Sequence, residues 1–92
     1  MEYSYYAVFE YSSEEEISSG IFAIGIYFPD FIGCTSCSDS VGHGLEMAKE
    51  VLVLRIEEEI ADGKLLPNPS DKEELEKDLA QNERLFGITV QL

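Results

Sequence analysis

The sequence predicts an α+β fold, in which a three- to four-stranded, mainly antiparallel sheet carries one long amphipathic helix across one face. Two observations support this prediction. Apolar and aromatic residues alternate with the two-residue period of a strand early in the chain and again at its end. Between these segments, apolar residues recur with the helical period. The element order is β-β-β-α-α-β, and a chain of 92 residues is long enough for one core, so we expect a single domain over residues 1–92.

The first strand is predicted over residues 3–11, which are rich in aromatic and β-branched side chains. Residues 12–19 are polar and read as a surface hairpin loop. The second strand covers residues 20–28. Its apolar face consists of Phe22, Ile24, Ile26 and Phe28. This strand is the segment around which the rest of the chain is organised.

A bend and a third strand follow. Pro29 cannot donate to a β-ladder and Gly33 is free to adopt positive φ, so the chain leaves the sheet between them. It returns at residues 34–38, and the first three strands form an antiparallel meander. Asp39 or Ser40 then has the side-chain oxygen that caps a helix.

The long helix has a wide apolar face and ends near Gly63, which suits a left-handed C-terminal cap. The apolar face is formed by Leu45, Ala48, Leu52, Ile56 and Ile60. A second helix is predicted from a capping box at Ser70 and Glu73 to about Asn82, with only a thin apolar stripe. The last strand covers residues 86–92. No second long amphipathic helix covers the other sheet face, so this face is either half-exposed or buried in an assembly.

Charge is the unusual property of this composition. The chain has 19 acidic and 6 basic residues, a formal net charge of -13, and its first Lys or Arg is Lys49. Such a chain repels phosphate backbones and anionic membranes, which argues against direct binding of nucleic acid or lipid. The favoured interpretation is a docking surface for a basic partner; the alternative is a solvated acidic face.

The start of the chain lacks the basic region and apolar run of a signal peptide, and no window is apolar enough to span a bilayer. We therefore expect a soluble, cytoplasmic protein. Cys34 and Cys37 have the spacing of a redox or zinc pair, but they lie on a predicted strand, where positions three apart point to opposite faces. One histidine, His43, does not complete a zinc site. Packing is the favoured role of the cysteines, and we expect no metal or other cofactor.

Three carboxylates are candidates for a catalytic site. Glu10, Asp30 and Asp39 lie at predicted strand ends and would bind Mg²⁺ for phosphoryl chemistry if they converged. No Lys or Arg accompanies them to hold a phosphate, so we expect a protein that is not an enzyme and has no catalytic residues.

Several segments resemble the HicB family of antitoxins in order and spacing. They are YYAVFE at residues 5–10, YFPDFIGC at 27–34, SDS at 38–40, the amphipathic helix at 45–52 and the G-x-x-x-P-x-P connector at 63–69. The most specific of them is the FPD-x-x-GC segment. Ile32 stands where the family favours Pro, and Ser38 where it favours Gly.

The resemblance implies a degenerate RNase H-like fold that binds a small basic HicA toxin, an mRNA interferase of double-stranded-RNA-binding fold with a catalytic histidine. It also implies a homo-oligomer, a dimer or a tetramer. Many HicB proteins continue into a DNA-binding domain, whereas none follows the last strand here, so we expect no direct nucleic-acid binding. The residues expected to contact the toxin are Glu10, Asp30, Phe31, Asp39 and Glu46. The acids would steer the toxin and Phe31 would anchor it.

Two alternatives to a non-enzymatic antitoxin remain. One is a relic nuclease that uses Glu10, Asp30 and Asp39 with a divalent metal. The other is a stand-alone protein-interaction domain that has lost its toxin. For Phe31, ordinary packing within the loop is the alternative to partner contact.

Overall fold

The structure, a computed structural model, describes residues 1–20 and 23–92 and confirms the predicted α+β class. Its elements are β1 (Glu2–Tyr11), α1 (Glu14–Ser18), β2 (Ile24–Tyr27), β3 (Thr35–Ser38), α2 (Val41–Ala61), α3 (Lys72–Lys77) and β4 (Glu83–Gln91). None of the helices in the described residues is both long and apolar enough to pass through a lipid bilayer.

The sheet has four strands in the order β3-β2-β1-β4, and every neighbouring pair is antiparallel. The predicted meander of the first three strands is confirmed. The last strand, β4, begins three residues earlier than predicted and pairs with β1 along its whole length. The second strand is shorter than predicted, and Phe22, which was assigned to its apolar face, lies outside the described residues.

Helix α2 lies across one face of the sheet and buries Gly44, Ala48, Leu52 and Ile56 against it, whereas Ile60, which was predicted for the same apolar face, is 51% exposed in the last turn. The sheet side of this core includes Tyr5, Ala7, Phe9, Ile24, Ile26, Phe28, Ile88 and Val90. A Cβ atom at Gly44 would lie 2.9 Å from Cε2 of Phe9. The weak helix former Gly44 is therefore explained by close packing of the first helical turns on the sheet.

Both ends of α2 are as predicted. The Ser40 side chain accepts a hydrogen bond from the backbone N–H of His43 at 3.2 Å, which satisfies one of the free amides of the first turn. The helix ends at Ala61, and Gly63 adopts a φ of 70°. The last carbonyls accept hydrogen bonds from the amides that follow the helix, as in a left-handed cap.

The predicted second helix needs correction. Helix α3 covers only Lys72–Lys77, and its N-cap is Asp71, which makes no side-chain capping hydrogen bond. The expected capping box fails because Ser70 is engaged elsewhere: its backbone N–H and its hydroxyl both donate to the carboxylate of Asp30. A charge-assisted pair of hydrogen bonds is stronger than a neutral cap, so the tertiary contact prevails over the local one.

The predicted loop at residues 12–19 also needs correction, because it contains the short helix α1. Ser13 and Glu16 form a reciprocal capping box in which each side chain accepts from the other residue's backbone N–H, both at 3.2 Å. Glu14, Glu15 and Glu16 stand in the first turn, where the helix dipole favours negative charge.

The sheet face away from α2, here called the second face, is only partly exposed. Val8 on this face is 2% exposed, and Tyr27 beside it is 37% exposed. Pro69 of the connector lines a hollow of about 370 Å³ together with residues of β1 and β4. The connector thus reaches the second face, which no long helix covers in the described part of the chain.

Candidate functional site

One end of the molecule gathers exposed acids. The strand register aligns Tyr11 of β1, Ile24 of β2 and Ser38 of β3 at one end of the sheet. Glu10 lies one residue inside this end, and Asp39 lies one residue beyond it. Helix α1, which connects β1 to β2, and the start of α2 lie at the same end. We call Glu10, Glu14, Glu15, Glu16 and Asp39 the acidic end.

These acids are accessible to solvent. Glu10 is exposed, and the Asp39 side chain is 84% exposed. Nδ1 of His43 lies 3.6 Å from Oδ1 of Asp39. Glu46, on α2, is also exposed. The structure therefore brings Glu10 and Asp39 to one end and leaves their carboxylates free for a partner.

Asp30 and Phe31 lie elsewhere, in the bend that follows β2 at the opposite end of that strand. Phe31 is 3% exposed and packs edge-on against Tyr5, with ring centroids 4.7 Å apart. The Arg55 guanidinium lies 5.8 Å from the centroid of the Phe31 ring. An enclosed ring is not available to a partner. The position of Phe31 therefore agrees with ordinary packing within the loop, which was the alternative to partner contact.

Asp30 joins this bend to the connector between α2 and α3. It accepts the backbone N–H of Ser70 at 2.9 Å and the Ser70 hydroxyl. Close by, the Tyr5 hydroxyl donates to the carbonyl of Pro67 at 2.7 Å. Burial raises the pKa of Tyr5, and the charge of Asp30 raises it further. The contacts of Asp30 are thus internal.

Sequence reasoning missed Glu83, the only buried charged side chain in the described residues, at 8% exposed. Its carboxylate accepts the Tyr27 hydroxyl at 3.1 Å and the backbone N–H of Ala80 at 2.7 Å. Glu83 stands directly opposite Glu10 across β1 and β4. Burial raises the pKa of Tyr27, and the hydrogen bond to Glu83 raises it further. The signal for this site was an acid at the start of a strand and a tyrosine on the same sheet face.

The cysteines do not form a pair. Cys34 is buried, with its thiol 3.8 Å from the carbonyl of Val51, whereas Cys37 is exposed. Burial raises the pKa of Cys34, which keeps the thiol protonated and unreactive.

The three acids considered for a relic nuclease do not converge. Asp30 is tied to Ser70 in the bend, while Glu10 and Asp39 belong to the acidic end. Among residues 1–20 and 23–92, no group of three or more His, Cys, Asp or Glu side chains is placed to hold a metal ion. This arrangement offers no shared site for Mg²⁺.

Helix α2 also carries apolar side chains on its solvent side. Leu54 is 66% exposed and, with Lys49, Glu50 and Val53, lines an open hollow of about 460 Å³. An amphipathic helix normally turns such residues inward, so this part of the helix has an apolar surface bordered by the charged side chains of Lys49 and Glu50.

Comparisons with known proteins agree with this fold. The chain is similar to a chain of a toxin-antitoxin complex from Streptococcus pneumoniae, with 22% identity over 99% of this chain and 70% of that one, at a TM-score of 0.79. It is also similar to a chain of a HicA3 and HicB3 toxin-antitoxin complex, with 20% identity over 94% of this chain and 95% of that one, at a TM-score of 0.61. No curated protein matches the chain.

At the level of families, residues 14–90 match the family described as HicB_like antitoxin of bacterial toxin-antitoxin system. The match spans most of the chain, from α1 through β4. It includes four of the segments that carried the resemblance, namely the bend with its FPD-x-x-GC segment, SDS at residues 38–40, α2 and the connector, but not YYAVFE at residues 5–10. The chain therefore belongs to the HicB-like antitoxin family of bacterial toxin-antitoxin systems.

Proposed function

We propose that this antitoxin binds and neutralises a small, basic HicA-type mRNA interferase through an acidic surface, as a protein of partial RNase H-like fold without catalysis of its own. The single observation that carries the proposal is the exposure of uncompensated acids at the acidic end, with Glu46 on the adjoining helix. A surface of this kind complements a basic RNA-binding surface and competes with phosphate for it.

The charge distribution favours this end over the rest of the molecule for first encounter. The acidic end holds Glu10, Asp39 and the three glutamates of α1, while every Lys and Arg lies at position 49 or later in the chain. Arg84 follows Glu83, the residue that pairs with Glu10 across the two strands. Its guanidinium donates hydrogen bonds to the backbone carbonyls of Gln81 and Glu83 at 3.0 and 2.8 Å. Charge complementarity of this kind raises association rates by about 10- to 1000-fold at low salt.

Steering charges need an apolar contact to hold the complex, and Leu54 is suited to that role. It is exposed on α2, beside Glu50 and two turns along the helix from Glu46. Interface energy is concentrated in a few apolar or aromatic residues surrounded by polar ones. Leu54 therefore replaces the enclosed Phe31 as the anchor in this proposal.

The test is the affinity and association rate for the small basic protein encoded beside this chain, measured at low and high salt. In the double variant Glu10→Lys/Asp39→Lys, we expect association to slow by about tenfold or more at low salt, because two attractions become repulsions. The slowing should shrink in high salt, where surface charges are screened.

A matched control carries the same change of charge at the other end of the molecule. Glu2 begins β1, roughly 27 Å from Glu10 along the strand at about 3.4 Å per residue. Asp62 caps the far end of α2. The variant Glu2→Lys/Asp62→Lys should keep nearly wild-type association, since the distance of both positions from the acidic end is well beyond the Debye length of about 8 Å. Equal slowing in the two variants would show that net charge, and not this surface, matters.

Leu54→Ala should act differently, by raising the dissociation rate and leaving the association rate unchanged. A folded wild-type chain that does not bind the toxin at all would contradict the proposal and favour a stand-alone interaction domain.

A further inference from the structure

The outer edge of β4 presents a row of unpaired backbone groups. Which residues belong to that row follows from the hydrogen bonds at the two ends of the β1–β4 pair. At one end, the N–H of Leu92 donates to the carbonyl of Met1 at 2.8 Å; at the other, the N–H of Tyr11 donates to Asn82 at 2.9 Å. Bonded and non-bonded pairs alternate along an antiparallel ladder. The even-numbered residues of β4 therefore point their backbone groups at β1, and the odd-numbered ones point theirs outward.

Five odd-numbered residues lie in β4, from Glu83 at its start to Gln91 at its end, and their situations differ. At the start of the strand, Glu83 is already satisfied: its N–H donates to Ala80 at 3.0 Å and its carbonyl accepts from Arg84. Within the described part of the chain, the outward N–H and C=O groups of Leu85, Gly87 and Thr89 have no such partner. An edge of this length is a template for another strand.

We propose that β4 pairs antiparallel with β4 of a second copy of this chain, about a two-fold axis at Gly87. Each Gly87 then faces its own copy, and each Leu85 faces the other copy's Thr89, in pairs that form two hydrogen bonds each. The result is one continuous sheet across both copies, with both α2 helices on the same face. The proposal does not depend on the toxin.

The side chains of β4 suit a second copy. Reversed about Gly87, the strand places Phe86 beside Ile88 and Arg84 beside Val90, so that no like charges face each other. From position 84 to 90 the strand has no acid, which matters for two chains that each carry a net charge of -13. Phe86 is half-buried on the α2 side of the sheet, and pairing would cover it further.

Charge also favours a second copy over the basic toxin at this edge. The one charged side chain from position 84 to 90 is Arg84, a cation, whereas the acids that would attract a basic protein lie elsewhere. Helix α2 packs against β2, β3 and β4 on one face of the sheet, and α3 also contacts β4, but within the described residues no strand pairs with the outer edge of β4.

The test uses Gly87, because only a residue on the two-fold axis meets itself. A Cβ atom at Gly87 has ordinary contact with the Tyr6 ring, 3.7 Å away, and Gly87 borders the hollow lined by Pro69, so the single chain has room for an added side chain there. Sedimentation equilibrium should give twice the 10.3 kDa chain mass for the wild type and for the control Gly87→Ala. Gly87→Lys and Gly87→Glu should each sediment as a single chain, since like charges then face each other. Mixed in equal amounts, these two variants should recover the doubled mass.

Amide hydrogen exchange supplies an independent readout. In the wild type, the amides of Gly87 and Thr89 should exchange slowly, and in Gly87→Lys they should become fast. The amide of Ile88 points to β1 and should stay protected in both, which shows that the variant is folded. A wild-type chain that sediments at 10.3 kDa throughout the concentration series would overturn the proposal, as would a doubled mass in both charged variants alone.

Discussion

The bend after β2 and the acidic end place similar residue types in opposite situations. In the bend, Asp30 is bound by Ser70 and Phe31 is enclosed under Tyr5. At the acidic end, Asp39 is 84% exposed. The bend holds the most recognisable motif of the family, yet its side chains turn inward. The residues left free for a partner belong to no comparably specific motif.

This difference shows that a family motif can identify residues that are needed for the fold and not the residues that bind a partner. The FPD-x-x-GC segment sets Phe28, Phe31 and Cys34 into the core, with exposures of 2–3%. Substitutions in the bend should therefore change stability more than toxin binding, and substitutions at the acidic end should do the reverse. The predictions below test this contrast, beginning with the largest expected effect.

Phe31→Ala should lower the free energy of unfolding by about 3–5 kcal/mol, because it removes a buried aromatic side chain and leaves a cavity. Urea unfolding measures this directly. Since such a loss is a large part of the stability of a small domain, Phe31→Leu serves as a milder variant, with an expected loss near 1 kcal/mol. The neighbouring Ile32 is 91% exposed, and Ile32→Ala should change stability by less than about 0.5 kcal/mol. Equal effects at positions 31 and 32 would contradict the enclosed placement of Phe31.

Asp30→Ala should lower the free energy of unfolding by about 1–2 kcal/mol, because it leaves the Ser70 amide without its charged partner. Ser70→Ala removes the hydroxyl contact and should cost less. Since both variants break the same contact, the double variant should be less destabilised than the sum of the two. Urea unfolding of the three variants gives this coupling, and additive effects would argue against the Asp30–Ser70 link. Toxin association by folded Asp30→Ala should match the wild type.

Much of the fold could be predicted because local signals and tertiary packing agreed. The Ser40 cap, the apolar face of α2 and the glycine that ends it are each visible within a few residues of sequence. The strands β1 and β3 follow from alternation and from the Pro29 and Gly33 signals between strands.

The wrong predictions occurred where distant residues compete with local ones. Ser70 has the pattern of a helix cap, but its donors bind Asp30, which lies 40 positions earlier. Helix α1 had a capping box at Ser13 and Glu16, but too few apolar residues to be read as a helix. Glu83 could not be placed without the register that sets it across from Glu10 and within reach of Tyr27. The contact residues were predicted from charge and from the family resemblance, neither of which shows that Asp30 lies apart from Glu10 and Asp39.

Tyr27→Phe sharpens the comparison by testing Glu83, a buried structural acid that stands directly opposite the exposed Glu10 of the acidic end. The variant should lose about 0.5–1.5 kcal/mol, because the Glu83 carboxylate loses one hydrogen-bond donor. Its effect on stability should also depend on pH. In the wild type, burial raises the pKa of Tyr27 and of Cys34 above their ordinary values of 10.0 and 9.0. Above those values the unfolded chain binds fewer protons than the folded one, so the free energy of unfolding falls as pH rises.

The alkaline fall should therefore begin near pH 9 and continue past pH 10, with a plateau between pH 7 and 8.5. Urea unfolding across this range should show a shallower fall above pH 10 in Tyr27→Phe than in the wild type. Tyr11→Phe is the matched control, since Tyr11 is a half-buried tyrosine of β1 that packs against the core under α2 and not against Glu83. Identical alkaline curves for wild type and Tyr27→Phe would contradict the role given to burial and Glu83.

Glu10→Gln should have the smallest effect on stability and the opposite sign. Glu10 faces Glu83 across β1 and β4, and like charges directly opposite each other are unfavourable. Because Glu10 is exposed, removal of its charge should raise the free energy of unfolding by only a few tenths of a kcal/mol, and less at high salt. The same variant should slow toxin association at low salt. If Glu10→Gln stabilises the fold and weakens toxin binding, the charge of Glu10 contributes to binding of the partner. If the variant instead loses stability, Glu10 belongs with Asp30 among the acids that stabilise the fold.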